Sequence, residues 1–298
     1  MNEWPLVVFT VLLEFACGSA MAATLVDCMV RRPDLVPMRP VGISVFPVAA
    51  LALLASLFHL GRPLAAWRAL ANLGNSRLSL EILLCALFTL VALVYSFLWW
   101  TERSRGRPAA GIALCLLGAA AAIASATVYL IPAQPAWNSG WVPCSLVGTA
   151  LLFGGLIPLL LAAKTEGLQQ KIFQAAVIMG GLALLSSAVW MLVRLSQMPA
   201  DEFIAARLQE GLHCLASQHG LWLGLHIALG CVLPLVVGIR LWLGGSAHKY
   251  GPLSRLLIFL MILAGVTIGR VLMFALESPS RDLGEIPAGI ASGTSAQR

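Results

Sequence analysis

The chain has 298 residues, of which 59% are hydrophobic and only 11% charged, and its mean hydropathy is +0.89. A soluble domain carries about 25% charged residues, so this protein cannot cover itself with a polar surface and reads as an integral membrane protein. Its net charge of +6 does not mark a nucleic-acid binder, because the basic residues fall in loops between apolar runs and form no single patch.

A membrane-crossing helix needs about 20 mainly apolar residues. The first such run covers about 4–27 and contains Ala20-Met21-Ala22, which resembles a signal-peptidase site. The flank before it has no Lys or Arg, Glu3 lies in it, and Glu14 interrupts the run itself. A signal peptide needs a positive flank, so the segment is expected to stay as a first transmembrane helix. Glu14 falls about ten residues in, near mid-membrane at a rise of about 1.5 Å per residue. A carboxylate there needs a partner or a proton, and His219 and His226 of the seventh span are the candidate partners.

The second run, about 41–61, closes on His59, with Gly61 and Pro63 available to end the helix. A linker carrying Arg62, Arg68 and Arg77 leads to the third run, about 79–100, which Glu81 opens and which Ser76 or Ser79 can cap. The short connection makes these two helices antiparallel neighbours and puts His59 and Glu81 at similar depth. Imidazole changes charge near neutral pH, and an ionisable residue inside an apolar pattern usually faces a bundle interior or cavity. The pair therefore suits a site that handles protons. The structural alternatives are a His59 bonded to a backbone carbonyl, a Glu81 favoured by the helix dipole, and arginines that snorkel to the headgroups.

Further runs cover about 108–131, 141–163, 171–195, 219–243 and 253–275, followed by a short polar tail from about 276. Arg194 and Arg270 fall at the ends of the sixth and eighth runs and are expected to snorkel. His219 and His226 are seven apart and share a helix face, which raises haem ligation. Bis-histidine ligation needs histidines on paired helices at matched depth, and His59 sits at an edge. The seven cysteines are scattered without a CxxC and read as small core residues, so an iron–sulfur cluster would belong to a partner. Trp4, Trp99, Trp100, Trp137, Trp141 and Trp242 fall at the predicted interfaces and read as an aromatic belt.

Lipid offers no partner to an unpaired backbone, and the alternation of a barrel is missing. The expected fold is an all-α bundle of eight transmembrane helices forming one domain over 1–298. No repeat relates the two halves, which weakens a transporter reading. Eleven of the 19 Lys and Arg residues fall in the loops after the odd-numbered spans. This places those loops in the cytoplasm and both termini on the outer, periplasmic side. Arg62, Arg68 and Arg77 are exceptions to the rule, as if retained to anchor headgroups, dock an acidic partner or tune the titratable site.

Four elements together resemble the DmsC family, the membrane-anchor subunits of dimethyl-sulfoxide-reductase-type molybdoenzymes. They are Asn2-Glu3-Trp4-Pro5-Leu6-Val7-Val8-Phe9-Thr10, His59-Leu60-Gly61-x-Pro63, Ser79-x-Glu81-Ile82 and Ile268-Gly269-Arg270. The resemblance implies an eight-helix subunit without haem in a bacterial inner membrane, which binds menaquinol near the periplasmic face. It also implies an iron–sulfur partner subunit and a molybdopterin catalytic subunit on that face. By position, His59, Gly61 and Glu81 match the family's quinol-site residues. Ala65 stands where the family has a basic residue, flanked by Arg62 and Arg68, and Val266-Thr267 stand where an acidic residue often precedes the IGR element.

The expected function is quinol oxidation in anaerobic respiration. His59 would bond a quinol oxygen and Glu81 would accept a proton as electrons leave for the iron–sulfur partner. Gly61, Arg62, Arg68 and Arg77 would line the pocket, with Glu14 nearby. Two other classes compete: a proton-coupled transporter using Glu14, Glu81 and His226, and a haem-b cytochrome subunit.

Overall fold

The computed structural model describes residues 3–29, 37–58, 68, 71–161, 167–244 and 250–276. Within them the chain runs as α1 (Trp4–Met29), α2 (Arg39–Leu57), α3 (Arg77–Trp100), α4 (Arg107–Val128), α5 (Trp141–Leu160) and α6 (Leu168–Leu195). It continues as α7 (Glu202–Gln218), α8 (Gly220–Leu225), a π-helical segment (His226–Val232), α9 (Leu233–Trp242) and α10 (Pro252–Ala275). Eight of these crossings are long and apolar enough to span a membrane, the seventh being the continuous run Gly220–Trp242. The chain is a multi-pass membrane protein. His59, Gly61 and Arg62 lie outside the described residues, as does the polar tail from 277 onward.

Helix α1 is the axis of the bundle. Of its spanning window 72% is buried, against 33% for α3 and for α10. It packs on α2, α4 and α5, while α5 in turn packs on α6, and α3 fits between α2 and α4. Between apolar helices in lipid, association depends on close van der Waals contact, which small residues permit. At the α1–α5 crossing a side chain on Gly18 would meet the Ala150 carbonyl oxygen and the Gly154 nitrogen, each at 2.7 Å. The two backbones touch because neither Gly18 nor Gly154 carries a Cβ.

Pro47 interrupts α2, and the ladder is mended by a neighbour. The Phe46 N–H donates to Ser96 Oγ of α3 at 3.1 Å, and Ser96 Oγ donates to the Gly42 carbonyl at 2.9 Å. Such a serine re-satisfies backbone groups that lipid cannot. The seventh crossing is irregular for a related reason. Pro234 follows the π segment and has no N–H to give, so the helix widens over the preceding turn.

Hydropathy gives no sign of α7. It is a polar helix of 17 residues between the sixth and seventh crossings, capped by Asp201, whose carboxylate accepts from the Ile204 N–H at 3.1 Å. Leu208, Gly211 and Leu215 turn its apolar stripe toward Leu195 and Leu276.

Among the described residues two buried ion pairs cross the bundle. Toward one end, Arg107 of α4 donates from Nε and Nη2 to both oxygens of Asp27 on α1, and its guanidinium stacks 3.8 Å above the Trp99 ring. In the other half, Arg270 of α10 donates from Nη2 to both oxygens of Glu14 at 2.9 Å, with Thr149 Oγ1 of α5 at 3.5 Å. Arg270 is 2% exposed, which corrects the expectation that it snorkels. Burial is possible because Glu14 supplies the opposite charge at the same depth.

Removing one partner of a desolvated pair strands the other charge, at a cost of about 3–5 kcal/mol. Arg270→Leu is therefore expected to lower the thermal midpoint sharply, and Arg270→Leu with Glu14→Leu to restore most of the loss. Equal damage in the single and double variants would show that the pair is not what holds α1 to α10.

Candidate functional site

The candidate site is built where α3 begins. Ser76 is the N-cap: its hydroxyl accepts from the Ser79 N–H at 3.3 Å, deciding between the two serines that the sequence offers. Arg77, the first helical residue, reaches across to α4 and donates from Nη1 to the carbonyls of Thr127 at 3.1 Å and Leu130 at 3.0 Å. Carbonyls in the last turn of a helix have no partner within it, and a guanidinium there also complements the negative end of the helix dipole. Arg77 thereby ties the start of α3 to the end of α4.

Glu81 lies one turn further in, about 6 Å below the start of α3 at 1.5 Å per residue. It is 5% exposed. No Lys or Arg among the described residues pairs with it, although the other carboxylates inside the crossings, Glu14 and Asp27, each have an arginine. Beside it stands Ser125 of α4, buried to a similar degree. Neither Glu81 Oε1 nor Ser125 Oγ has a partner in good hydrogen-bond geometry, although the two lie close enough to interact with each other. A buried polar atom without a well-formed hydrogen bond costs up to about 1–3 kcal/mol, and here two adjacent ones sit on facing helices. One is an acceptor when ionised and the other a donor or acceptor. Together they place a carboxylate and a hydroxyl side by side between α3 and α4.

The other sequence candidates resolve separately. Arg68 is exposed in the linker. Glu14 belongs to Arg270, not to His219 or His226. His226 is 8% exposed and its Nδ1 lies 2.9 Å from the Gly265 carbonyl, so Nδ1 carries the proton and donates. Its Nε2 faces the Cys231 sulfur at 3.8 Å. His219 closes α7, and His226 sits at the start of the π segment. The Ile268-Gly269-Arg270 element gains a physical meaning from these contacts. A Cβ on Gly269 would lie 2.3 Å from the His226 ring, so glycine seats the imidazole while the next residue binds Glu14.

Sequence reasoning passed over Ser125, one small residue in an alanine-rich helix. It also passed over the role of Arg270, whose partner lies 256 residues away. The cysteines are dispersed, and among the described residues no group of three His, Cys, Asp or Glu side chains lies together.

Comparison with known proteins places the chain in a family. The family model described as DMSO reductase anchor subunit (DmsC) matches residues 1–276. The sequence is 26% identical to the C chain of anaerobic dimethyl sulfoxide reductase of Escherichia coli K12, over 93% of its own length and 95% of the relative. It is 28% identical to the YnfH chain of anaerobic dimethyl sulfoxide reductase of the same organism, over 93% and 95%. The Haemophilus influenzae C chain of the same name is 30% identical over 52% of this protein and 57% of the relative. Eight apolar crossings and a match across nearly the whole length agree: the protein belongs to the DmsC family of dimethyl sulfoxide reductase anchor subunits.

Proposed function

We propose that this anchor subunit oxidises quinol at the Glu81–Ser125 seat and delivers the electrons to an iron–sulfur subunit docked over the same end of the bundle. The observation that supports it is the Glu81 carboxylate beside the Ser125 hydroxyl, both buried between α3 and α4 and neither held in good hydrogen-bond geometry. Quinol carries two hydroxyls on a flat apolar ring, and two adjacent polar atoms in an apolar wall suit one such hydroxyl. A bound quinol supplies two electrons and two protons.

The residues of the chain divide the remaining work. Glu81 accepts a hydroxyl proton at Oε1, which its position inside the helix pair keeps away from competing cations. Ser125 orients the same hydroxyl by a hydrogen bond. Arg77 holds α3 and α4 together around the seat through the Thr127 and Leu130 carbonyls. His59, two residues beyond the last residue of α2, would bind the second oxygen, with Gly61 leaving room for the ring and Arg62 and Arg68 supplying positive charge nearby. Glu14 stays engaged with Arg270.

Protons released at this end leave on the side that the Lys and Arg distribution assigns to the periplasm. The iron–sulfur subunit and the molybdopterin catalytic subunit would sit on that face of a bacterial inner membrane, with menaquinol as the diffusible donor. A transporter path through Glu14, Glu81 and His226 is not favoured, since Arg270 and the Gly265 carbonyl already engage Glu14 and His226.

Removing a positioned proton acceptor costs about 10²–10⁴-fold in rate. In the assembled complex, Glu81→Gln is expected to lower quinol-dependent reduction at least about a hundredfold. Ser125→Ala is expected to lower it about five- to tenfold, the worth of one hydrogen bond. His59→Ala should also abolish quinol oxidation. Reduction driven by a soluble dye, and recovery of the three-subunit complex, should not change in any of them. Wild-type quinol oxidation by Glu81→Gln would refute the assignment.

A further inference from the structure

At the end of the bundle that holds Glu81, the connection from α4 to α5 runs over residues 129–140 without a helix and without a charged side chain. Neighbouring helices hold it by its carbonyls. Arg77 of α3 donates to Leu130 at 3.0 Å, and Arg194 of α6 donates from Nε to Pro135 at 3.2 Å. Trp141, which opens α5, donates from Nε1 to Ala136 at 2.8 Å. Trp137 within the connection donates from Nε1 to the Met273 carbonyl of α10 at 2.8 Å. The tip is a turn closed by the Gln134 N–H on the Ile131 carbonyl at 2.9 Å, with Pro132 in the second position that proline favours.

What this connection turns outward is aliphatic. Ile131, Pro132 and Ala133 are exposed, whereas Tyr129, Trp137 and Trp141 are buried. The aromatic belt expected at Trp137 and Trp141 therefore faces the bundle. A loop resting on lipid headgroups presents Trp, Tyr, Lys or Arg to them, and this tip presents none. A second uncharged turn, residues 71–76, leads into Arg77; Leu73 is exposed on it and Gly74 takes the bend at φ +94°. The core of a protein–protein interface is depleted of charge and keeps its apolar contacts. A segment fixed this firmly also has little conformational freedom left to lose when a partner binds.

We propose that the 131–133 tip, with the 71–76 turn that leads into Arg77, is the docking surface for the iron–sulfur subunit. The choice of partner rests on the proposed function, in which electrons leave from this end. Continuity with the quinol seat supports it: the two turns cap α3 and α4, the helices that carry Glu81 and Ser125, and Ser125 lies in the last turn of α4. A subunit seated on the tip stands directly over the seat. Arg77 and Arg194 hold the platform from behind through its carbonyls, which leaves the apolar tip as the contact.

Photo-crosslinking in the assembled complex tests the surface. A benzophenone amino acid in place of Ala133 is expected to couple to the iron–sulfur subunit. The same group in place of Ser104, exposed at the opposite end of the bundle, is expected to couple to no other subunit. Ile131→Glu with Ala133→Glu sets two carboxylates into an apolar contact. Each polar group left unsatisfied there weakens binding about tenfold, so the double variant should retain the iron–sulfur subunit about a hundredfold less tightly on dilution. Ala133→Ser should retain it as the wild type does. Both positions are exposed, so the anchor subunit itself should keep its membrane yield and its elution volume. The cross-link should persist in Glu81→Gln, and it should form whether or not that variant oxidises quinol, so the docking surface and the quinol site fail separately. Coupling from position 133 to lipid alone or to the catalytic subunit alone, or wild-type retention by the double variant, would overturn the assignment.

Discussion

The close approach of α1 to α5 is the constraint on which the rest of the bundle depends. Lipid removes the hydrophobic driving force between helices, so shape must do what burial does in water. Gly18 lets α1 settle against Gly154, and that contact places α1 at the centre with neighbours on every side. One turn away on the same helix, Glu14 is brought to the depth of Thr149 and within reach of Arg270. A carboxylate that would be prohibitive on a lipid-facing helix becomes tolerable on a buried one, because the same packing that buries it also delivers its cation.

The charged groups inside the crossings then separate by what meets them. Asp27 and Glu14 are neutralised by arginines from distant segments, and both join helices. Glu81 receives no such partner among the described residues, and Ser125 beside it is not held in good hydrogen-bond geometry. Of the carboxylates inside the crossings, Glu81 is thus the one that no arginine among the described residues engages. Arg77 belongs with the supporting groups: it spends its donors on the end of α4, which fixes the wall of the site without entering it.

Irregularity is concentrated in the second and seventh crossings, and in both cases proline is the cause. In α2 the lost continuity at Pro47 is covered by Ser96 of α3, which couples the helix preceding the linker to the helix that carries Glu81. In the seventh crossing the widened turn before Pro234 lets Gly230 and Gly265 meet, and His226 then donates to the Gly265 carbonyl. The histidine that sequence reasoning considered for haem or for Glu14 is thus a strut between two helices.

Hydropathy alone determined the number of crossings and the class of fold, because spanning a bilayer requires long apolar runs whose backbone bonds close internally. The sequence also picked out Glu81, since a carboxylate inside such a run is conspicuous at any depth, and narrowed its cap to two serines, since capping is local. The sequence could not say which buried charges were spoken for. The partner of Glu14 is 256 residues away, and Arg270 near a helix end looks the same whether it points to the headgroups or into the bundle. Nor could it single out Ser125, whose hydroxyl matters only because α4 turns it toward Glu81. Polar α7 escaped for the same reason, its short apolar stripe being meaningful only against Leu195 and Leu276. Local periodicity and composition write the helices, but which side chains meet is fixed by helix rotation and crossing, and those are set by contacts between residues far apart in the chain.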